Sequence, residues 1–145
     1  MDESLTRQLQ LAESLARCVH EGQLDKAGLP YIDHPRRVAA KLTEPRARAV
    51  AWLHDVLEDD PETTEDELRV QFDDAIVDAV VALTRVKGEA DEVYYARVRC
   101  NELARQVKHA DIHDNLDPLR TALLDPATVE RLGTKYGKAL TQIFG

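Results

Sequence analysis

The stretch Ala49-Val50-Ala51-Trp52-Leu53-His54-Asp55-Val56-Leu57-Glu58-Asp59 constrains this chain more than any other. Read as a helix, it has apolar residues around nearly its whole circumference, so it has to be buried, yet it carries four ionisable side chains within six positions. His54 and Glu58 are four apart, as are Asp55 and Asp59, and Asp55 and Glu58 are three apart, which puts all four on one face of a continuous helix. Carboxylates at the carboxyl end of a helix also oppose its dipole, at several tenths to about 1 kcal/mol each. A divalent cation would neutralise the cluster and turn it into a ligand set. The alternative is a fraying helix end whose Glu58, Asp59 and Asp60 form a hydrated acidic turn.

The remaining pattern is helical as well. Leu9, Ala12, Leu15, Ala16 and Val19 recur at helical spacing across Leu5–His20. Pro35 suits the first turn of a second helix that runs to Leu42, and Pro45 separates it from the third, Arg46–Asp59, which Pro61 ends. Thr64, three residues before Glu67, reads as a capping box that opens a short helix to Phe72. Asp74–Val86 is a core helix, apolar through Ile76, Val77, Val80, Val81 and Leu83. A single long helix is predicted from Glu92 to Asn115, which no Gly or Pro interrupts. A short helix follows Pro118, and a terminal one, Thr128–Phe144, is weakened by Gly133 and Gly137. No segment alternates as a strand does, and there is no internal repeat or linker. The expectation is an all-α helical bundle, one domain over residues 1–145, since this length with 43% hydrophobic residues can fill one core.

A net charge of −8 would repel a nucleic-acid polymer or an anionic membrane surface. No apolar run approaches the roughly 20 residues that cross a bilayer. Met1-Asp2-Glu3-Ser4-Leu5 lacks the basic start and apolar stretch of a secretory signal, so a cytoplasmic location is expected. There Cys18 and Cys100, with no C-x-x-C spacing, read as buried free thiols. A small anionic substrate remains compatible if a metal, or a few placed Lys and Arg, overcomes the global field.

Two further stretches carry chemistry. In Val107-Lys108-His109-Ala110-Asp111-Ile112-His113-Asp114-Asn115-Leu116, Lys108, Asp111 and Asn115 fall within one helical arc, whereas His109 and His113 project elsewhere and read as surface histidines. Asp111 and Asn115, flanked by Val107, Ala110 and Leu116, look buried. Gly28-Leu29-Pro30-Tyr31-Ile32-Asp33-His34-Pro35 is a Gly/Pro loop delivering one histidine just before a helix. Alone, His34 reads as a cap or packed side chain. It matters in combination.

Together these residues resemble the hydrolase domain of the RelA/SpoT family, and still more its stand-alone small alarmone hydrolases. The resemblance runs in order through His20-x-Gly22-Gln23, Gly28-x-Pro30-Tyr31-Ile32-x-His34-Pro35, Leu53-His54-Asp55-Val56-x-Glu58-Asp59, Phe72, Leu83-Thr84-Arg85, Val107-Lys108-x-Ala110-Asp111 and Asn115-Leu116. It implies an all-helical HD domain and metal-dependent phosphohydrolysis of a nucleotide, typically removal of the 3′-pyrophosphate of (p)ppGpp. It further implies one divalent ion on His34, His54, Asp55 and Asp111, usually manganese, although iron, nickel or zinc suits the same donors. Glu58 and Asp59 would position or deprotonate the attacking water, Asn115 would help hold the nucleotide, and Lys108 and Lys26 would offset substrate charge. Lys108 equally reads as a helix-surface lysine that snorkels past the core.

Two departures bear on substrate. Asp25 stands where the family usually carries an Arg that stacks on guanine, and Asp117-Pro118 follows where an Arg or Thr commonly touches substrate. The rival readings are therefore a phosphohydrolase for another nucleotide or small phosphoester, and a non-catalytic nucleotide-binding regulatory module. The stretch beyond Leu116 is too short for a separate synthetase domain, so hydrolysis alone is expected. The terminal helix, with Leu132, Leu140, Ile143 and Phe144, has a face for its own core or for a second copy in a homodimer.

Overall fold

The computed structural model describes residues 2–145, and among these the regular structure is helical. The helices are α1 (Glu3–Val19), α2 (Asp33–Ala40), α3 (Pro45–Leu53), α4 (Val56–Asp59), α5 (Glu65–Gln71), α6 (Asp74–Leu83), α7 (Asp91–Arg99), α8 (Glu102–Asn115), α9 (Pro118–Thr121) and α10 (Pro126–Phe144). The expected all-α class holds.

α3 is central, packed against α1, α2, α6 and α8. Ala47, Ala49, Val50, Ala51 and Leu53 are fully buried, so the all-round apolar pattern has its physical cause: this helix has neighbours on every side. α8 is the second hub, touching α2, α3, α6, α7 and α10. α10 closes the bundle within the chain, burying Leu132, Ala139 and Ile143, with Leu140 and Phe144 partly buried.

The structure corrects three expectations. The third helix does not continue to Asp59. It ends at Leu53, and His54-Asp55 forms a turn before α4. The His54 ring bonds through Nδ1 to the Ala51 carbonyl at 2.6 Å, the acceptor that an unbroken helix would offer to the Asp55 N–H. The long helix predicted from Glu92 to Asn115 is likewise two helices. Asn101 breaks it by capping α8, its Oδ1 accepting from the Ala104 N–H at 2.9 Å. Finally, Cys18 and Cys100 are exposed, not buried. Cys18 faces away from the Leu5, Ala12 and Ala16 stripe of α1, and Cys100 sits at the α7–α8 break.

Thr64 does cap α5, accepting from the Glu67 N–H at 3.2 Å. No helix among the described residues is long and apolar enough to cross a membrane.

The Asn101→Ala variant should lose about 1 kcal/mol of stability, as N-caps typically do, read as a lower urea midpoint with an unchanged slope. An unchanged midpoint would show that tertiary packing alone sets the α7–α8 break.

Candidate metal centre

The first turn of α2, which takes in the histidine expected just before it, the α3–α4 turn and the carboxyl half of α8 surround one cavity of about 650 Å³. Each contributes a residue that the sequence singles out. His34, His54 and Asp111 are buried, and one donor atom from each lies within 4.8 Å of the others. His34 Nε2 is 2.8 Å from Asp111 Oδ1, and His54 Nε2 is 3.6 Å from the same oxygen. Asp55 Oδ2 lies 3.1 Å from His54 Nε2 and accepts the Tyr31 hydroxyl.

The donor set fits a divalent cation. His54 Nδ1 is committed to the Ala51 carbonyl, which fixes a proton there and leaves Nε2, facing the cavity, as the ring atom that can give its lone pair to an ion. That Nε2 is buried without a hydrogen-bond partner, with the Asp55 and Asp111 carboxylate oxygens at 3.1 and 3.6 Å. An unmade bond at a buried polar atom costs about 1–3 kcal/mol. Two imidazoles and two carboxylates also match the chemistry of borderline transition ions.

Electrostatics bind these groups together. Burial works against ionising Asp111, but Lys108, His34 and His54 hold its carboxyl well below the usual range. Burial alone would lower the His34 and His54 pKa values, yet the facing carboxylates raise both: Asp111 and Asp114 at His34, Asp55 and Asp111 at His54. Tyr31 is pushed up by burial and by Asp55, so its hydroxyl keeps its proton and donates. Glu58 is raised by desolvation at the cavity and by Asp55 and Asp59, partly offset by the Arg85 N–H that it accepts at 2.7 Å.

Glu58 lines the cavity, whereas Asp59 does not. Because the helix breaks at His54-Asp55, the four acidic and imidazole groups do not share one face as the sequence suggests. Asp59 turns toward the loop, accepting from Gln23 Nε2 at 3.1 Å with His20 Nδ1 at 3.7 Å. Lys108 and Asn115 both reach Asp111, at 3.2 and 3.1 Å. Lys108 is therefore not a surface lysine. Lys26 lines the mouth in the open. His109 and His113 are exposed, as expected.

Asp25 has a structural task. Its Oδ1 accepts from the Ala27 and Leu29 N–H groups at 2.9 and 3.0 Å, closing a turn that Gly28 completes at φ 81°. Arg120, 3.6 Å from Asp25, also lines the cavity. The lining holds six cations, Lys26, Arg37, Arg85, Lys108, Arg120 and Lys135, against five carboxylates, Asp25, Asp55, Glu58, Asp111 and Asp117. In a chain of net charge −8 this is a locally cationic cavity. Sequence reasoning missed Tyr31 as the partner of Asp55, and it missed Arg37, Asp114, Arg120 and Lys135. Asp114, three residues beyond Asp111 and fully buried, was the one with a readable signal: a charge one turn from a buried charge.

No family model matches the chain. It is 35% identical over 131 residues to a Streptomyces coelicolor protein named GTP pyrophosphokinase, covering 83% of this chain and 15% of that protein. An Aquifex aeolicus protein named guanosine-3′,5′-bis(diphosphate) 3′-pyrophosphohydrolase is 32% identical over 123 residues, 79% of this chain and 18% of its own length. The chain thus spans less than a fifth of these curated relatives. A solved structure described as a metazoan ortholog of SpoT that hydrolyzes ppGpp superposes with a TM-score of 0.73. That superposition covers 100% of this chain and 88% of the other, at 21% identity, and establishes the likeness of fold.

Because the facing carboxylates raise the pKa values of His34 and His54, a divalent ion competes with protons for these rings. Titrating Mn²⁺ into metal-free protein at pH 7 should release about one or two protons per ion, read as a buffer-dependent calorimetric enthalpy, and affinity should fall as pH falls. An enthalpy independent of buffer would place the ion away from these imidazoles.

Proposed function

Because the chain is related in sequence to RelA/SpoT-type hydrolases and carries their helical fold, we propose that it is a metal-dependent phosphohydrolase acting on a phosphorylated nucleotide. The observation that carries this reading is the unpartnered, buried His54 Nε2 grouped with His34 and Asp111 at the floor of a cationic cavity. His34, His54, Asp55 and Asp111 would hold the ion, manganese in the first instance, with iron, nickel or zinc also suited to the donors. When bound, such an ion supplies Lewis-acid charge to a phosphoryl oxygen and acidifies water.

The protein's own groups do the rest. Glu58 accepts the proton of the attacking water: its raised pKa suits a general base, and the Arg85 N–H holds its carboxylate in place. The water oxygen bonds to phosphorus as the bond to the leaving oxygen breaks. Tyr31 fixes Asp55, and Lys108 with Asn115 fixes Asp111. Lys26 and Lys135, which have no carboxylate within ion-pair distance among the described residues, are the cations free to meet substrate phosphate. Asp59, bonded to Gln23, steadies the loop that carries Lys26.

By the names of its relatives, the first substrate to test is the 3′-pyrophosphate of (p)ppGpp. The cavity, at about 650 Å³, is large enough for a nucleotide. A second substrate reading, another nucleotide or small phosphoester, is favoured by Asp25, whose carboxylate is spent on its own turn and on Arg120. Phosphate and pyrophosphate release across nucleotides separates the two: turnover of other nucleotides with none of guanosine tetraphosphate removes the first.

The Glu58→Gln variant should lose about 10²–10⁴ in kcat while Mn²⁺ affinity stays within about twofold, because Glu58 is not among the ligands. Wild-type turnover by this variant would remove Glu58 as the base. A wild type that hydrolysed no nucleotide would instead favour a regulatory binding module.

A further inference from the structure

α8 grips both nitrogens of a single ring. His34 Nε2 meets Asp111, while Nδ1 lies 2.6 Å from Asp114 Oδ2. Asp114 is fully buried and belongs neither to the ligand set nor to the cavity lining. Its carboxylate is itself held on both oxygens: Arg37 Nε donates to Oδ1 at 2.9 Å, and Arg120 donates to Oδ2 at 2.9 Å. We propose that Asp114 is a positioning residue of the metal centre, holding the His34 proton on Nδ1 so that Nε2 faces the ion. The proposal rests on the reading of His34 as a ligand.

A ligating imidazole presents a lone pair at one nitrogen and a hydrogen at the other, and the acceptor facing the second decides which is which. His54 receives that instruction from the Ala51 carbonyl. His34 has no backbone carbonyl at Nδ1 and takes it from Asp114. Only a carboxylate can serve there, because three donors converge: Arg37, Arg120 and the ring. An amide has one acceptor oxygen. Arg37 has Asp114 as its carboxylate partner, whereas Arg120 also reaches Asn115 at 3.1 Å and Asp25 at 3.6 Å. In Asp114→Asn the single oxygen therefore goes to Arg37, and the NH₂ group turns to His34 Nδ1. That forces the ring proton onto Nε2, the wrong tautomer for binding.

The test reads the ring directly. Nitrogen-15 NMR of the histidine side chains of the full chain, with Zn²⁺ as a diamagnetic probe, should show His34 protonated at Nδ1 and coordinated through Nε2. Coordination through Nδ1, or an unprotonated Nδ1, overturns the proposal and needs no variant. In Asp114→Asn, metal-free His34 should carry its proton on Nε2, and Zn²⁺ affinity measured by calorimetry should fall about 10–100-fold. A folded variant with unchanged tautomer and affinity overturns the proposal while leaving the ligand set intact. Zn²⁺ that perturbs no His34 resonance removes both readings.

Discussion

Asp111 lies in the interior between two imidazoles and an ammonium group. A carboxylate there forfeits several kcal/mol of hydration, and only near, well-aligned cationic and hydrogen-bonding partners recover it. Those partners come from two successive helices and one distant in sequence: His34 from α2, His54 from the end of α3, and Lys108 and Asn115 from α8 itself. The cluster therefore ties α2, the end of α3 and α8 to one another. It also explains why α3 is apolar all round. A helix that ends in a buried imidazole has to be enclosed on every side, and α1, α2, α6 and α8 enclose it.

Most of this organisation is legible in the residues. The helical periodicities, the Thr64 cap, the burial of Asp111 and the exposure of His109 and His113 follow from spacing alone. What spacing misses is local hydrogen bonding that competes with the helix. The His54 ring takes the Ala51 carbonyl, and Asn101 caps α8, so two runs without Gly or Pro are nevertheless broken. The first of these breaks matters to the site. It sets α4 off from α3, and within α4 Glu58 enters the cavity while Asp59 does not; a face drawn on one ideal helix unites His54, Asp55, Glu58 and Asp59 wrongly. The grouping of His34 with the His54-Asp55 pair comes from the family resemblance, because it spans distant segments that no periodicity connects.

The second layer around the metal centre was the least readable. Tyr31, Arg37, Asp114 and Arg120 act through contacts between elements. The chain also resolves its charge conflict locally. Its net charge of −8 disfavours a phosphorylated ligand at long range, but screening confines that field to about 8–10 Å at physiological salt. Within the cavity the cations outnumber the carboxylates, and a divalent ion would add to them.

The central claim is that one ion is held jointly by residues from α2, the α3–α4 turn and α8. Anomalous diffraction at the manganese edge from crystals grown with Mn²⁺ tests it most directly. The account predicts one strong peak about 2.0–2.3 Å from His34 Nε2, His54 Nε2 and the carboxylates of Asp55 and Asp111. A peak at the exposed His109–His113 pair with none in the cavity would contradict it.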